Sequence, residues 1–134
     1  MGGDAIGQSL DLELPAIPES CPRARYAVRA TLQGTGVDMA AVDLAVSEAV
    51  TNVVVHAYRD VGATQAPGRL RVAVALDDGG AWVRVIDHGI GMRPRPDSPG
   101  LGFGLALIAD ACDLLEIRQR EDGTQVHMRF RFAA

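Results

Sequence analysis

The sequence predicts an α+β domain of two layers, a mixed, mostly antiparallel sheet with helices on one face. Three observations lead there. Hydrophobic periodicity runs in the order strand, two helices, hairpin, helix, hairpin, whereas a doubly wound parallel sheet needs a helix between successive strands. The connections at 77–80 and near 122–123 hold Asp and Gly, the residues of tight turns. Within the strands, apolar residues alternate with arginines and other polar residues, so one sheet face is built to be covered and the other to meet water.

In order, residues 1–8 read as a loose terminus. Leu10, Leu12 and Leu14 alternate with polar neighbours over 9–14 and mark a first strand. Ser20 stands where a helix cap belongs, with Pro22 in the first turn, and that helix runs to about residue 32, ahead of Gly34 and Gly36. Asp38 is placed to cap a second, longer helix reaching about residue 58. A loop spans 62–68, and 70–76 with 81–87 form a hairpin through Asp77-Asp78-Gly79-Gly80. A loop with Pro94, Pro96 and Pro99 follows, then a short helix over 103–112 and strands over 114–119 and 124–132. Strand parity puts Leu70, Val72, Val74 and Leu76 on one face and Arg69 and Arg71 on the other. It also turns Asp87 and Thr124 toward the helix-covered side, while Gln125, His127, Arg129 and Arg131 take the open face.

At 134 residues the chain is one domain, with 48% apolar and 22% charged residues. No stretch is expected to approach the ~20 apolar residues of a membrane span, and the start lacks a signal pattern, so a cytoplasmic location is expected. Cys21 and Cys112 form no CxxC and no disulfide framework. A net charge of −4 argues against a non-specific nucleic-acid binder. All 13 basic residues are arginine. Without lysine neither a Walker P-loop nor a eukaryotic-type kinase can be built, so phosphate handling must rest on backbone N–H groups, arginine and metal.

Three clusters carry chemistry. Glu48, Asn52 and His56 recur every fourth residue along an otherwise apolar helix, so they share a stripe that faces something other than open water. Taken singly, such a Glu is a solvated surface residue; taken with Asn52 and the clusters downstream, it suits a proton acceptor beside a Mg²⁺ ligand. His56 suits a packed core position. Asp87-x-Gly89-x-Gly91 ends a strand but is followed by Arg93-Pro94-Arg95-Pro96, so it cannot open directly into a helix as a dinucleotide fingerprint must. Glycines there are either an ordinary turn or the floor of a purine pocket in which Asp87 accepts from an amino group. Gly100-Leu-Gly102-Phe-Gly104 precedes an apolar helix, as a flexible turn or as an anion site of bare N–H groups. Arg93 and Arg95 are equally suited to phosphates or to solvent. His56, His88 and His127 show no metal-ligand spacing.

Together these clusters resemble the signature boxes of the histidine-kinase-like ATPase superfamily, the Bergerat (GHKL) fold, and the stretch Ser-Glu-Ala-Val-Thr-Asn-Val-Val-x-His-Ala-Tyr at 47–58 is most similar to its bacterial anti-sigma factor/serine protein kinases. The resemblance covers roughly 10–132. It implies ATP and Mg²⁺ as ligands, with Glu48 as catalytic base and Asn52 as magnesium ligand. It places Asp87, Gly89, Gly91 and Thr124 at the adenine, Gly100, Gly102 and Gly104 at the phosphates with Phe103 among them, and Arg25 at a partner surface. It further implies a sigma factor as the sequestered partner, a STAS-type anti-anti-sigma protein as the substrate, and a homodimer. One departure stands out: only 92–99 separates the two glycine clusters, with three prolines and no lysine. A short stiff lid of that kind weakens transfer more than binding, so the alternative is an ATP-dependent binding module without phosphotransfer. A third reading, nucleic acid on the arginine face, has only Trp82 as a stacking platform.

Overall fold

The computed structural model describes residues 7–58, 68–89 and 100–133. Within them lie strands β1 (Gly7–Pro15), β2 (Arg69–Leu76), β3 (Gly80–Asp87), β4 (Leu114–Arg120) and β5 (Gly123–Arg131). The helices are α1 (Ser20–Leu32), α2 (Met39–Asn52) and α3 (Gly100–Ala111), and a π-turn (Val53–Ala57) prolongs α2. The sheet order is β1-β2-β3-β5-β4, and all four pairings are antiparallel. The element order and the α+β class are as expected, with the mixed character resolved in favour of antiparallel pairing. Of the terminus expected to be loose over 1–8, Gly7 and Gln8 instead begin β1, paired with Leu76 and Ala75; residues 1–6, most of the 62–68 loop, Gly91, Arg93, Arg95 and the lid at 92–99 lie outside the described residues.

The core forms where the apolar face of the sheet meets the helices. Leu14, Leu70, Val72, Val74, Val83, Val85, Val126, Met128 and Phe130 pack with Ala24, Val28 and Leu32 of α1 and with Val42, Val46 and Val50 of α2. Helix α2 begins as expected, the Asp38 carboxylate accepting from the Ala41 N–H at 3.2 Å. Helix α1 does not. Glu19 occupies the cap position without a side-chain bond, and the Ser20 hydroxyl instead donates to the Pro15 carbonyl at 2.6 Å. The chain turns so sharply between β1 and α1 that this carbonyl, at the end of its strand, is the nearer partner.

Contrary to the expectation that no stretch approaches a membrane span, α2 with its π-turn gives a 19-residue helical run, Met39–Ala57, of mean hydropathy 1.3, which has the length and composition of one. Its apolarity is explained by position, since it is the central helix and buries Val42, Ala45, Val46, Ala49, Val50 and Val53 against the sheet and its neighbours.

The open sheet face is largely neutralised by pairs. Arg69 faces Glu13, Arg71 grips Asp11 at 2.6 Å, and Arg118 meets Glu116. His127 is 8% exposed, more buried than an open-face residue was expected to be. Neighbouring arginines 84, 118 and 120 hem it in, and burial first, then Arg118 and Arg84, depress its pKa.

The β2–β3 hairpin is locked by Asp77. Its Oδ1 accepts from the Gly79 and Gly80 N–H groups at 2.8 and 3.0 Å, while Arg129 holds both its oxygens at 2.7 and 2.8 Å and lies over the Trp82 ring. The Arg129 bonds bring the Asp77 carboxyl down from 3.8 to about 2. A carboxylate held below its unfolded pKa stabilises the fold above that unfolded value, and the gain disappears as pH falls through the folded one. Between pH 4 and 2 the wild-type melting temperature is expected to fall more steeply than that of Asp77→Asn. Parallel curves for the two proteins would refute this.

Candidate nucleotide site

Helix α2 supplies the first wall. Asn52 is 5% exposed, and its side-chain Nδ2 has no hydrogen-bond partner. A buried amide donor left unpaired costs on the order of 1–3 kcal/mol, which a fold tolerates where a ligand completes the bond. One turn earlier on the same face, Glu48 is partly buried.

Helix α3 closes over this pair through a glycine. A Cβ on Gly104 would stand 3.2 Å from both Asn52 amide atoms and 3.4 Å from Glu48 Oε2. The absent side chain is therefore the space between the two helices at that point. Helix α3 starts at Gly100, earlier than the expected residue 103. Gly100, Gly102 and Gly104 are thus the first turns of the helix and not a loop ahead of it, because apolar spacing marks only where a helix becomes amphipathic and cannot see glycines recruited into its start. The free N–H groups of a helix N-terminus nevertheless belong to this segment. The side chain of Phe103 lies outside the described residues.

Strands β3 and β5 supply the second wall. Asp87 and Thr124 are a register pair, 3% and 2% exposed, on the helix-covered face as parity required. The Gly89 N–H donates to Asp87 Oδ1 at 2.9 Å, and the Thr124 backbone also donates to this carboxyl. Burial outweighs both and raises the Asp87 pKa. Gly89 must be glycine for want of space: a Cβ there would overlap the Ala57 carbonyl at the end of the π-turn. The strand end carrying Asp87 thus abuts the end of the helix carrying Asn52, and the two walls meet.

Residues 14–130 match the family model described as histidine kinase-like ATPase domain. The chain belongs to that family. Relatives of this ATPase domain include the anti-sigma F factor of Clostridium botulinum (strain Eklund 17B / Type B), 31% identical over 92% of this chain and 94% of that protein. The anti-sigma F factor of Pasteuria penetrans is 30% identical over 89% and 87% of the two chains. Among solved structures, the RsbU and RsbW domains of Rv1364c from Mycobacterium tuberculosis superpose with a TM-score of 0.67 at 25% identity, covering 93% of this chain and 34% of that longer one.

As a histidine kinase-like ATPase domain, the chain gathers Glu48, Asn52, Gly104, Asp87, Gly89 and Thr124 along one seam between helices and sheet. His56, the third residue of the α2 stripe, falls in the π-turn, where the i→i+4 ladder has given way, and is partly buried and already engaged. Among the described residues no group of three or more His, Cys, Asp or Glu is poised to hold a metal. The Asn52 amide oxygen is a hard donor of the kind that would hold a divalent cation such as Mg²⁺. The donor set fits that role. Sequence reasoning missed Gly123, at φ +145° and pressed on the Asp87 carbonyl, because nothing in a turn Asp-Gly pair signals which backbone it will touch.

Proposed function

We propose that this chain binds ATP·Mg²⁺, holds a sigma factor, and phosphorylates a serine on a STAS-type anti-anti-sigma protein, in the cytoplasm and as a homodimer. The observation that carries the reading is the unpartnered, buried Asn52 amide under Gly104, beside Glu48 and next to the Asp87 turn. Similarity over most of both chains to proteins named anti-sigma F factor supports the regulatory part.

ATP·Mg²⁺ would supply the transferable phosphoryl group and the neutralising cation. Asp87 accepts from the adenine amino group, with Thr124 beside it, and Asn52 holds the cation. Glu48 takes the proton of the attacking serine hydroxyl, in the window that Gly104 keeps clear. Arg25, whose guanidinium donates to Ser47 Oγ at 3.2 Å one residue before Glu48, lies on the side of α1 nearest this window and suits partner contact.

The test is phosphotransfer from labelled ATP to the STAS partner. Glu48→Gln is expected to slow transfer by about 10²–10⁴-fold, the usual contribution of a general base, with ATP affinity within about twofold of wild type. Undiminished transfer by the variant would remove Glu48 from the chemistry. A wild-type protein that binds ATP and retains its sigma factor without any transfer would favour the second reading, the binding module, for which the short proline-rich segment 92–99 speaks.

A further inference from the structure

Tyr58 closes the π-turn and has no place in the chemistry above. Its hydroxyl donates to the Arg69 carbonyl at 2.6 Å and accepts from the His88 N–H at 2.9 Å. These two groups are not arbitrary. The β2–β3 register ends at the pair Leu70 and Asp87, so the next pair along would be Arg69 and His88. The phenol is inserted where the next rung of the ladder would form, relaying through oxygen a bond that the strands would otherwise make directly. The strands are spread at the end where Asp87 stands.

The ring is held as firmly as the hydroxyl. A Cβ on Gly68 would overlap Cε1, Cε2 and Cζ of Tyr58 together, so Gly68 lies across the ring face. A Cβ on Gly89 would come within 3.1 Å of Tyr58 Cδ1. Two glycines, one before β2 and one after β3, both lie close against one aromatic ring. The π-turn lies between Asn52 and Tyr58, and its wider winding sets the direction in which Tyr58 leaves the helix. Burial raises the Tyr58 pKa, the His88 bond opposes this, and the Asp87 charge adds to it. The phenol therefore stays protonated at neutral pH, able to donate and accept at once.

We propose that Tyr58 is a positioning residue of the nucleotide site, wedging β2 from β3 so that the His88–Gly89 turn, and with it the Gly89 N–H on Asp87, is held in the geometry that reads the base. This rests on the ATP reading above. Phenylalanine keeps the ring but cannot relay the bond; the strands then zip one rung further and carry Gly89 with them.

In Tyr58→Phe, the preference for ATP over GTP measured by calorimetry with Mg²⁺ is expected to shrink about tenfold. Amide exchange at Gly89, a residue that Tyr58 does not hydrogen-bond, is expected to quicken about tenfold. A purely structural tyrosine would lower the melting temperature and weaken both nucleotides alike. A folded variant with the wild-type ATP/GTP preference, or with unchanged Gly89 exchange, overturns the proposal. If wild-type protein binds no nucleotide, the ATP reading fails, and Gly89 exchange still decides whether Tyr58 holds the turn. Should Tyr58→Phe not fold, Gly68→Ala displaces the ring with its hydroxyl retained and is expected to give the same two changes; failure of both to fold at 25 °C overturns the proposal as well.

Discussion

Asp87→Asn is expected to weaken ATP binding about a hundredfold, the usual range for losing a charged acceptor in a dry pocket, while leaving the empty protein at least as stable as before. The two effects have opposite signs, and the same observation explains both. Asp87 is 3% exposed, and burial raises its pKa despite bonds from the Gly89 and Thr124 backbone. A carboxyl whose folded pKa lies above its unfolded value costs stability once the pH rises past the unfolded value, because the folded state then holds a charge it disfavours. An amide of the same shape removes that cost. It also presents an N–H toward the adenine amino group on one side of the same plane, where a carboxylate accepts on both. Calorimetry with ATP and GTP, together with melting curves at pH 7 and 8, separates the two effects. Binding by Asp87→Asn within about threefold of wild type, in a protein of unchanged melting temperature, would remove Asp87 from the site.

What the chain disclosed in advance follows the physics of local order. Strand parity has a period of two, so the inward aim of Asp87 and Thr124 could be read from Val83, Val85, Val126 and Met128 alone, and the register pairs them. The Asp38 cap was legible because a side chain and the N–H it serves lie three residues apart. Ser20 was misread because its real partner, the Pro15 carbonyl, depends on how the chain bends between two elements. The start of α3 at Gly100 escaped for a related reason: glycine has poor helix propensity, and only packing against Asn52 and Glu48 makes its absence of bulk useful. The π-turn and the Tyr58 wedge were invisible, since each is defined by contacts between α2, β2 and β3, far apart in sequence. Candidate residues chosen by type could therefore be named from the sequence, whereas those that work by holding backbone apart could not.

Gly123 is the extreme case of that second kind. Its φ is +145°, in the region L side chains rarely adopt, and an added Cβ would overlap the Asp87 carbonyl oxygen while lying 2.7 Å from the Asp87 carbonyl carbon and from His88 Cα. Every atom in the way is backbone, so no rotamer change relieves the clash. The end of β3 must retreat, and Asp87 and Thr124 lose their pairing together. Gly123→Ala is expected to cost about 3 kcal/mol or more, a fall of about 10 °C or more in melting temperature for a domain of this size. Gly34→Ala provides the control, since Gly34 has φ +79° with nothing within 4 Å of its missing Cβ. That variant carries backbone strain without overlap and is expected to cost about 1 kcal/mol. The difference between the two isolates what close approach at Asp87 demands. Below its lowered melting temperature, Gly123→Ala should still be unable to hold ATP, because the fold can survive a displaced strand end when the base pocket cannot. Equal losses in the two alanine variants, or normal ATP binding by Gly123→Ala, would mean that the turn after β4 does not shape the pocket.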